Sequence, residues 1–375
     1  MKQFLANHIK NIPGWKTKRK YVAIVVDDYG NVRVDSKKAL ENISKKNPNK
    51  AQRFDLFDTL ETREDLQMLY EVLSSVKDKN GKPSVFTPYA LSCNIDFERM
   101  KEDGYDDYRY ELLPITYKKL SSLQPSAYEG AWDLWQEGIK LGLMHPEFHG
   151  REHFNLKIFK EKLGKKELAL MLSLENRSLS NLGPSGYSSM GWTSAFSFWD
   201  PIEDPKMFPE IIEDGLLTFE KVYGYKSKLF TPPARHFPEN LEGQLTQWGL
   251  TAFDRPFFQG KHMGFGKYKR EFSTMGLNKK TNMVDLVRNV VFEPTESNID
   301  HVAKAMAQIE AAFRWNKPAI ISSHRVNFCG HIDPKNREKG LKDLKKLLKV
   351  IVKKWPDVEF VSASELVNLI SIKKS

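Results

Sequence analysis

The sequence predicts a parallel α/β fold, and within that class a barrel. Short apolar runs alternate with helix-patterned stretches. Several of the runs are apolar without interruption, as strands covered on both faces by helices should be. Residues able to do chemistry recur just after the runs.

The runs are Tyr21-Val-Ala-Ile-Val-Val26, Ser84-Val-Phe-Thr-Pro-Tyr, Leu141-Gly-Leu-Met, Leu168-Ala-Leu-Met-Leu, Lys228-Leu-Phe-Thr, Leu250-Thr-Ala-Phe, Asn289-Val-Val-Phe, Ala319-Ile-Ile-Ser and Val358-Glu-Phe-Val. Between them the spacing predicts helices over 62–76, 127–141, 207–223, 299–315 and 340–354. No Gly-rich phosphate loop follows the first run, in either the G-x-G-x-x-G or the Walker A pattern. A doubly wound nucleotide-binding sheet thereby loses its main support. In a barrel, catalytic residues lie at the C-terminal ends of strands. Asp27-Asp28, the histidines of 145–153, Thr231 to Arg235, Asp254 and His324 all follow candidate strands.

We read residues 1–375 as a single barrel domain with two insertions. Residues 31–80 are charged and helix-rich. Residues 176–206 carry Tyr187, Trp192, Phe196, Phe198 and Trp199. Trp192 and Trp199 are candidates for stacking on a sugar face; the alternative is a loop that packs its own aromatics.

Composition narrows the chemistry. The chain has 375 residues, 40% hydrophobic and 28% charged, with only two cysteines. A disulfide framework is excluded, and any transition metal must be held by His and carboxylates. No apolar stretch of about 18 residues is present, so no membrane span is expected. No secretory signal is recognisable, so a cytoplasmic protein is the expectation. The net charge is +10, with basic runs at 16–20 and 342–354. The second run alternates with Leu, Ile and Val at helical spacing, which reads as the solvated face of a helix, and no nucleic-acid motif accompanies it. Nucleic acid is therefore not an expected partner, and the oligomeric state is not predicted.

Three of the nine histidines lie in His145-Pro-Glu-Phe-His149-Gly-Arg-Glu-His153. His-x3-His spacing puts two imidazoles on one face of a helical turn, within reach of one ion. Alone, such a pair is more often a surface coincidence. Pro146 disfavours the 145/149 pair in a helix, because proline lacks the N–H and blocks the preceding turn. His149 and His153 are thus the candidate ligands, and His145 is a residue behind them or facing substrate. A lone Asp-Asp is usually a turn or helix cap. At a strand end, however, Asp27 and Asp28 can divide labour, one binding a cation and the other accepting a proton from water.

Taken together these stretches resemble the NodB-type polysaccharide deacetylases. The matching segments are Val25-Val-Asp-Asp-Tyr-Gly30, His149-Gly-Arg-Glu-His153, Phe230-Thr-Pro-Pro-Ala234, Ile321-Ser-Ser-His324 and the closing Val358-Glu-Phe-Val-Ser-Ala-Ser-Glu-Leu366. The resemblance spans residues 21–370. It implies a deformed (β/α)7-type barrel of the glycoside hydrolase/deacetylase kind, and metal-dependent removal of an acyl group, N-acetyl foremost, from a carbohydrate. By position it implies Asp27 as general base, Asp28, His149 and His153 as metal ligands, His324 as general acid, and a backbone N–H near Ala234 for the oxyanion. The metal implied is divalent: zinc first, with cobalt, nickel, manganese or iron also suited to two imidazoles and a carboxylate.

The chain departs from the pattern at several points. Tyr29 displaces a Gly, Gly150 replaces Ser or Thr, Ser322 replaces Leu, and Thr231 stands where an Arg normally orients the catalytic Asp. Either Arg235 or Arg255 replaces that Arg from a different backbone position or its role is lost, and Asp254 and Glu293 are candidates for orienting His324. Arg255 and Arg325 are further candidates for holding an anionic group of the substrate; the equal alternative is an ion pair on the surface. Two rival functions fit the same residues: hydrolysis of a non-sugar C–N bond in a small amide, and glycan binding without catalysis.

Overall fold

The computed structural model describes residues 2–46, 53–180, 193–297 and 299–372. Its frame is a parallel sheet built from β1 (Tyr21–Tyr29), β2 (Phe86–Ala90), β3 (Glu147–Phe148), β4 (Leu229–Phe230), β5 (Ala252–Pro256), β6 (Val284–Arg288), β7 (Val290–Val291) and β8 (Ala319–His324). The spatial order is β6-β5-β4-β3-β2-β1-β8-β7. A further strand, β9 (Glu359–Phe360), pairs with the start of β1.

The two ends of this parallel run are consecutive in the chain; the short strand Gly276–Leu277 pairs antiparallel with the first residues of β6, outside the run. β6 pairs with β5 at one end and β7 pairs with β8 at the other, with only Asn289 between them. The sheet therefore curls until its ends meet, a deformed barrel in which one broken pass, β6 to β7, serves both edges. Asn289 fills the break. Its Oδ1 accepts from the Ile320 N–H at 2.8 Å, and its Nδ2 donates to the Pro318 carbonyl at 2.9 Å. The side-chain amide replaces the ladder bonds that the kink removes.

Every residue of β1 is buried. That is why Tyr21 to Val26 reads as one apolar run: the inner face meets the barrel core and the outer face meets helices. The helices follow their sequence patterns. Arg63–Ser74 starts with a full capping box between Thr62 and Asp65. In Pro334–Lys354 the buried residues include Leu341, Leu344, Leu347, Leu348 and Ile351, and most of its lysines face outward. This helix touches the loop after β8 at Gly340, where an added Cβ would lie 1.8 Å from the Asn327 carbonyl oxygen.

Two expected strands are placed differently. Leu168–Glu175 is a helix, and the run from Leu141 touches the sheet only at Met144, in a bridge to Phe86, with the strand itself at Glu147–Phe148. Val284–Arg288 is a further strand, which Asp285 hides from a search for unbroken apolar runs. Between β1 and β2, residues 31–80 include the helices Lys37–Lys46, Arg53–Phe57 and Arg63–Ser74. Of the aromatics in 176–206, Phe196 and Phe198 are buried, and the Phe196 ring centroid is 5.6 Å from that of Phe230. Tyr187 and Trp192 lie outside the described residues. Among the described residues, no helix is long and apolar enough to cross a membrane.

Candidate active site

Neighbours on a regular strand face opposite sides, yet Asp27 and Asp28 line the same cleft. The pairing of β1 with β2 slips between Val26 and Tyr29, and Asp28 adopts φ 78°, in the left-handed region. This bulge swings the second carboxylate to the side already occupied by the first. On its other edge β1 stays in register with β8, so that Asp27 and His324 are direct neighbours.

Asp28 faces the two histidines. Its Oδ1 lies 2.9 Å from His153 Nε2 and 3.6 Å from His149 Nε2. Burial favours the neutral acid, but the two imidazoles of His149 and His153 beside it outweigh that and hold Asp28 well below the usual carboxylate range. His149 Nδ1 is 2.7 Å from the Thr231 carbonyl. A carbonyl only accepts, so Nδ1 carries the hydrogen and Nε2 keeps its lone pair. That Nε2 is buried and has no hydrogen-bond partner among the described residues. One ligand atom each from Asp28, His149 and His153 lies within 4.8 Å of the others. An orphaned imidazole lone pair beside a carboxylate and a second imidazole is a set that fits a divalent cation.

The loop that carries the pair is not the expected helical turn: residues 149–154 contain no helix. The chain doubles back at Gly150, with φ 126°. A Cβ there would approach the Glu152 carbonyl to 3.0 Å, which accounts for glycine where the resemblance expects Ser or Thr.

Asp27 is held by Arg288, the residue at the end of β6. Two parallel bonds join them, Nη1 to Oδ2 at 2.7 Å and Nη2 to Oδ1 at 2.8 Å. The same guanidinium bonds Asp254 through Nε at 2.8 Å and Ser322 Oγ through Nη1 at 3.0 Å. Burial alone would raise Asp27, but Arg288 lowers it below the ordinary value. The cation missing at Thr231 is thus supplied by Arg288, and neither Arg235 nor Arg255 takes its place. Ser322 stands where the resemblance expects Leu and gives Arg288 a polar contact. A partial signal was present in the sequence: Arg288 ends Met283-Val-Asp-Leu-Val287, apolar but for Asp285, as Asp27 ends its own run.

His324 faces Asp27 from β8, with Nε2 3.7 Å from Asp27 Oδ2. Its Nδ1 is 2.7 Å from Glu293 Oε1. Burial pulls the imidazole pKa down, but the Glu293 hydrogen bond and the charges of Glu293, Asp27 and Asp28 push it up to about 9. Glu293 is anchored by Arg53 Nη1 at 3.1 Å and by Asn327 Nδ2 at 2.8 Å. The Phe54 ring stands edge-on to His324, with centroids 5.3 Å apart. Of the two residues expected to orient His324, Glu293 contacts it, while Asp254 belongs to Arg288.

These groups line a cleft of about 340 Å³, together with Arg33, Thr193, Pro232, Ala234 and Arg235. Ala234 and Arg235 have φ of 54° and 60°. The Arg235 N–H donates to the Pro232 carbonyl at 2.8 Å, so the Ala234 N–H is the candidate oxyanion donor of this turn.

Three sequence candidates lie elsewhere. His145 precedes β3, at the opposite end of the strand, where it stacks on Tyr225 and approaches Glu147 at 3.5 Å. It lines a separate cavity of about 790 Å³. The carboxylate there, Glu147, is already bonded by Ser227 Oγ and by the N–H groups of Lys228 and Leu229. Arg255 follows Asp254 on β5, points away from the cleft as strand alternation requires, and pairs with Glu242 and Asp285 at 2.7 and 2.8 Å. Trp199 packs against Phe265 in a neighbouring turn, with ring centroids 6.2 Å apart. Trp192 lies outside the described residues.

No family model matches this chain, and no curated protein does. Solved structures do. A protein of Mycobacterium smegmatis assigned as a polysaccharide deacetylase is 11% identical over 96% of this chain and 94% of its own, with a TM-score of 0.44. A 4-alpha-glucanotransferase of Thermococcus litoralis is 12% identical over 92% of this chain and 40% of its own, with a TM-score of 0.43. An allantoinase is 9% identical over 94% of this chain and 91% of its own, also with a TM-score of 0.43. At such identities the chemistry of this chain rests on its own residues.

Proposed function

We propose that this chain is a divalent-metal-dependent hydrolase that removes an acyl group, N-acetyl foremost, from a carbohydrate. The observation that carries the reading is the division of the Asp pair: one bulge delivers Asp28 to two imidazoles and leaves Asp27 between a guanidinium and His324.

Asp28, His149 and His153 are the residues that would hold the cation. When bound, a divalent cation supplies a Lewis acid that polarises a carbonyl and makes a nearby water more acidic. The rest falls to the chain. Asp27 is kept ionised by Arg288, so it can accept the proton of an attacking water. Arg288 shares its charge with Asp254, which leaves Asp27 only partly neutralised. His324 is protonated at neutral pH, with Glu293 fixing its Nδ1, so its Nε2 can give a proton to the departing nitrogen or oxygen. The Ala234 turn faces the same cleft and supplies a backbone donor for the tetrahedral oxyanion.

The test is acetate release from a panel of acetylated sugars and small amides, before and after chelation. Chelation should abolish turnover, and zinc or one of cobalt, nickel, manganese and iron should restore it. Turnover confined to the small amides would replace the carbohydrate part of the reading. Turnover unaffected by complete metal removal would overturn the metal part.

A further inference from the structure

The arginines with which the sequence reading would hold an anion are not free to do so. Arg255 is buried between Glu242 and Asp285. Arg325 is buried between Asp58 and Glu61, at 2.9 and 2.8 Å. Arg288 is engaged by Asp27 and Asp254. Arg33, in the cleft wall, is paired with Asp55 at 3.0 Å. Arg235 differs from all of these. Its side chain lines the cleft and is solvent-exposed. Among the described residues its guanidinium has neither an ion pair nor a hydrogen bond. The segment 181–192, which leads into Thr193 of the cleft, contains no Asp or Glu.

Charge accounting around the cleft gives the unpaired cation a meaning. Asp27 and Asp254 share Arg288, Glu293 faces His324 and Arg53, and Arg33 faces Asp55. The charge of Asp28 is directed at the two histidines. Among the described residues, Arg235 alone of the arginines lining this cleft has no carboxylate at ion-pair distance; Asp27, Asp254 and Glu293 act on it only through space. It is also held in an unusual backbone conformation, φ 60° beside Ala234 at 54°. The Arg235 N–H bond to Pro232 and a 3.3 Å bond from Ser194 Oγ to the Pro233 carbonyl fix that turn. Strained non-glycine positions of this kind persist where the surroundings impose them.

We propose that Arg235 binds a carboxylate or similar anionic group carried by the substrate near its scissile acyl bond, so that the site selects acidic over neutral acylated compounds. The proposal rests on the hydrolase reading for its substrate but concerns binding alone. A planar guanidinium with all five N–H donors open suits a carboxylate held in two parallel bonds. The anion source is either an acidic sugar or a small amide acid, and the two are separable.

The test is calorimetric titration of the wild-type chain and of Arg235→Gln and Arg235→Lys with matched pairs of ligands. One set compares N-acetylglucosaminuronic acid and N-acetylmuramic acid with N-acetylglucosamine; the other compares N-acetylglycine with N-acetylglycinamide. An acid in at least one set should bind the wild type on the order of ten-fold more tightly than its neutral partner. Arg235→Gln should bring the two to equal affinity, and Arg235→Lys should keep part of the difference. The set that responds identifies the source of the anion. Equal binding of acid and neutral ligand to the wild type in both sets, or no binding by any acid, overturns the proposal. So does a preference that survives Arg235→Gln. A wild type that shows metal-dependent turnover but no preference for the acids would sink this inference and leave the hydrolase reading standing.

Discussion

At the residue scale, the account turns on which carboxylate does what. Asp27→Asn keeps the side-chain volume and removes the proton acceptor. It should lower turnover by about 10²- to 10⁴-fold while metal content, read by elemental analysis, stays at the wild-type level; a variant that turns over normally ends the base assignment. Arg288 holds Asp27 below its ordinary pKa. Arg288→Gln should therefore move the acidic limb of the pH profile upward, since Asp27 would then protonate at higher pH. It should also cost stability of about 3 to 5 kcal/mol, because two buried carboxylates lose their shared cation. On the basic side, His324 titrates at about 9, and a cation at Asp28 would pull that value down. Turnover should fall as pH rises through about 9 or somewhat lower, and Glu293→Gln should shift the limb downward by about one unit. A limb that does not respond to Glu293→Gln would remove His324 from the acid's place. The same raised pKa gives His324 a stabilising contribution that is present below about 6.5 and lost as pH climbs through about 9.

At the scale of elements, the contacts that position the site are made by backbone. Gly340 lets the helix Pro334–Lys354 lie against the Asn327 carbonyl, and Asn327 in turn bonds Glu293. Gly340→Ala must push that loop away. Thermal or denaturant unfolding should show a loss of about 1 to 3 kcal/mol or more, with a drop in activity beyond what the stability loss explains. Unchanged stability would mean that the helix can move without disturbing Asn327. Element type was legible where the pattern was long. The run Tyr21 to Val26, the helix Arg63–Ser74 with its cap and the leucine-lined helix near the C-terminus all followed from spacing and capping alone. Leu168-Ala-Leu-Met-Leu was misread as a strand because a short apolar run has no decisive period. It holds no β-branched residue, and Leu, Ala and Met are strong helix formers, so propensity pointed to the helix that the chain forms. The β-bulge at Asp28 and the left-handed turn at Ala234 and Arg235 were not legible, because non-glycine residues rarely adopt positive φ and nothing local announces it. Arg288 was missed for a different reason. Its partner is 261 positions away in sequence, and only barrel closure brings the two together.

At the scale of the molecule, part of the net charge of +10 lies away from the site. The lysine-rich run belongs to the outer face of a helix, so binding to nucleic acid should be weak and should vanish with modest salt by counterion release. The barrel is closed by one strand pass broken at Asn289, and the cleft gathers residues from β1, β8 and the loops after β3 and β4. A cation gripping β1 and the loop after β3 through Asp28, His149 and His153 should stabilise the fold. Zinc at about 100 times its dissociation constant should add about 2.7 kcal/mol to unfolding, an increment that Asp28→Ala should remove. The most direct test of the central claim is anomalous diffraction from a crystal of the chain soaked in zinc. The account predicts one strong peak in contact with Asp28, His149 Nε2 and His153 Nε2, at about 2.0 to 2.2 Å from each. A featureless map there, with Asp28 still bonded to His153, would contradict it, as would a peak bound only by carboxylates elsewhere on the surface.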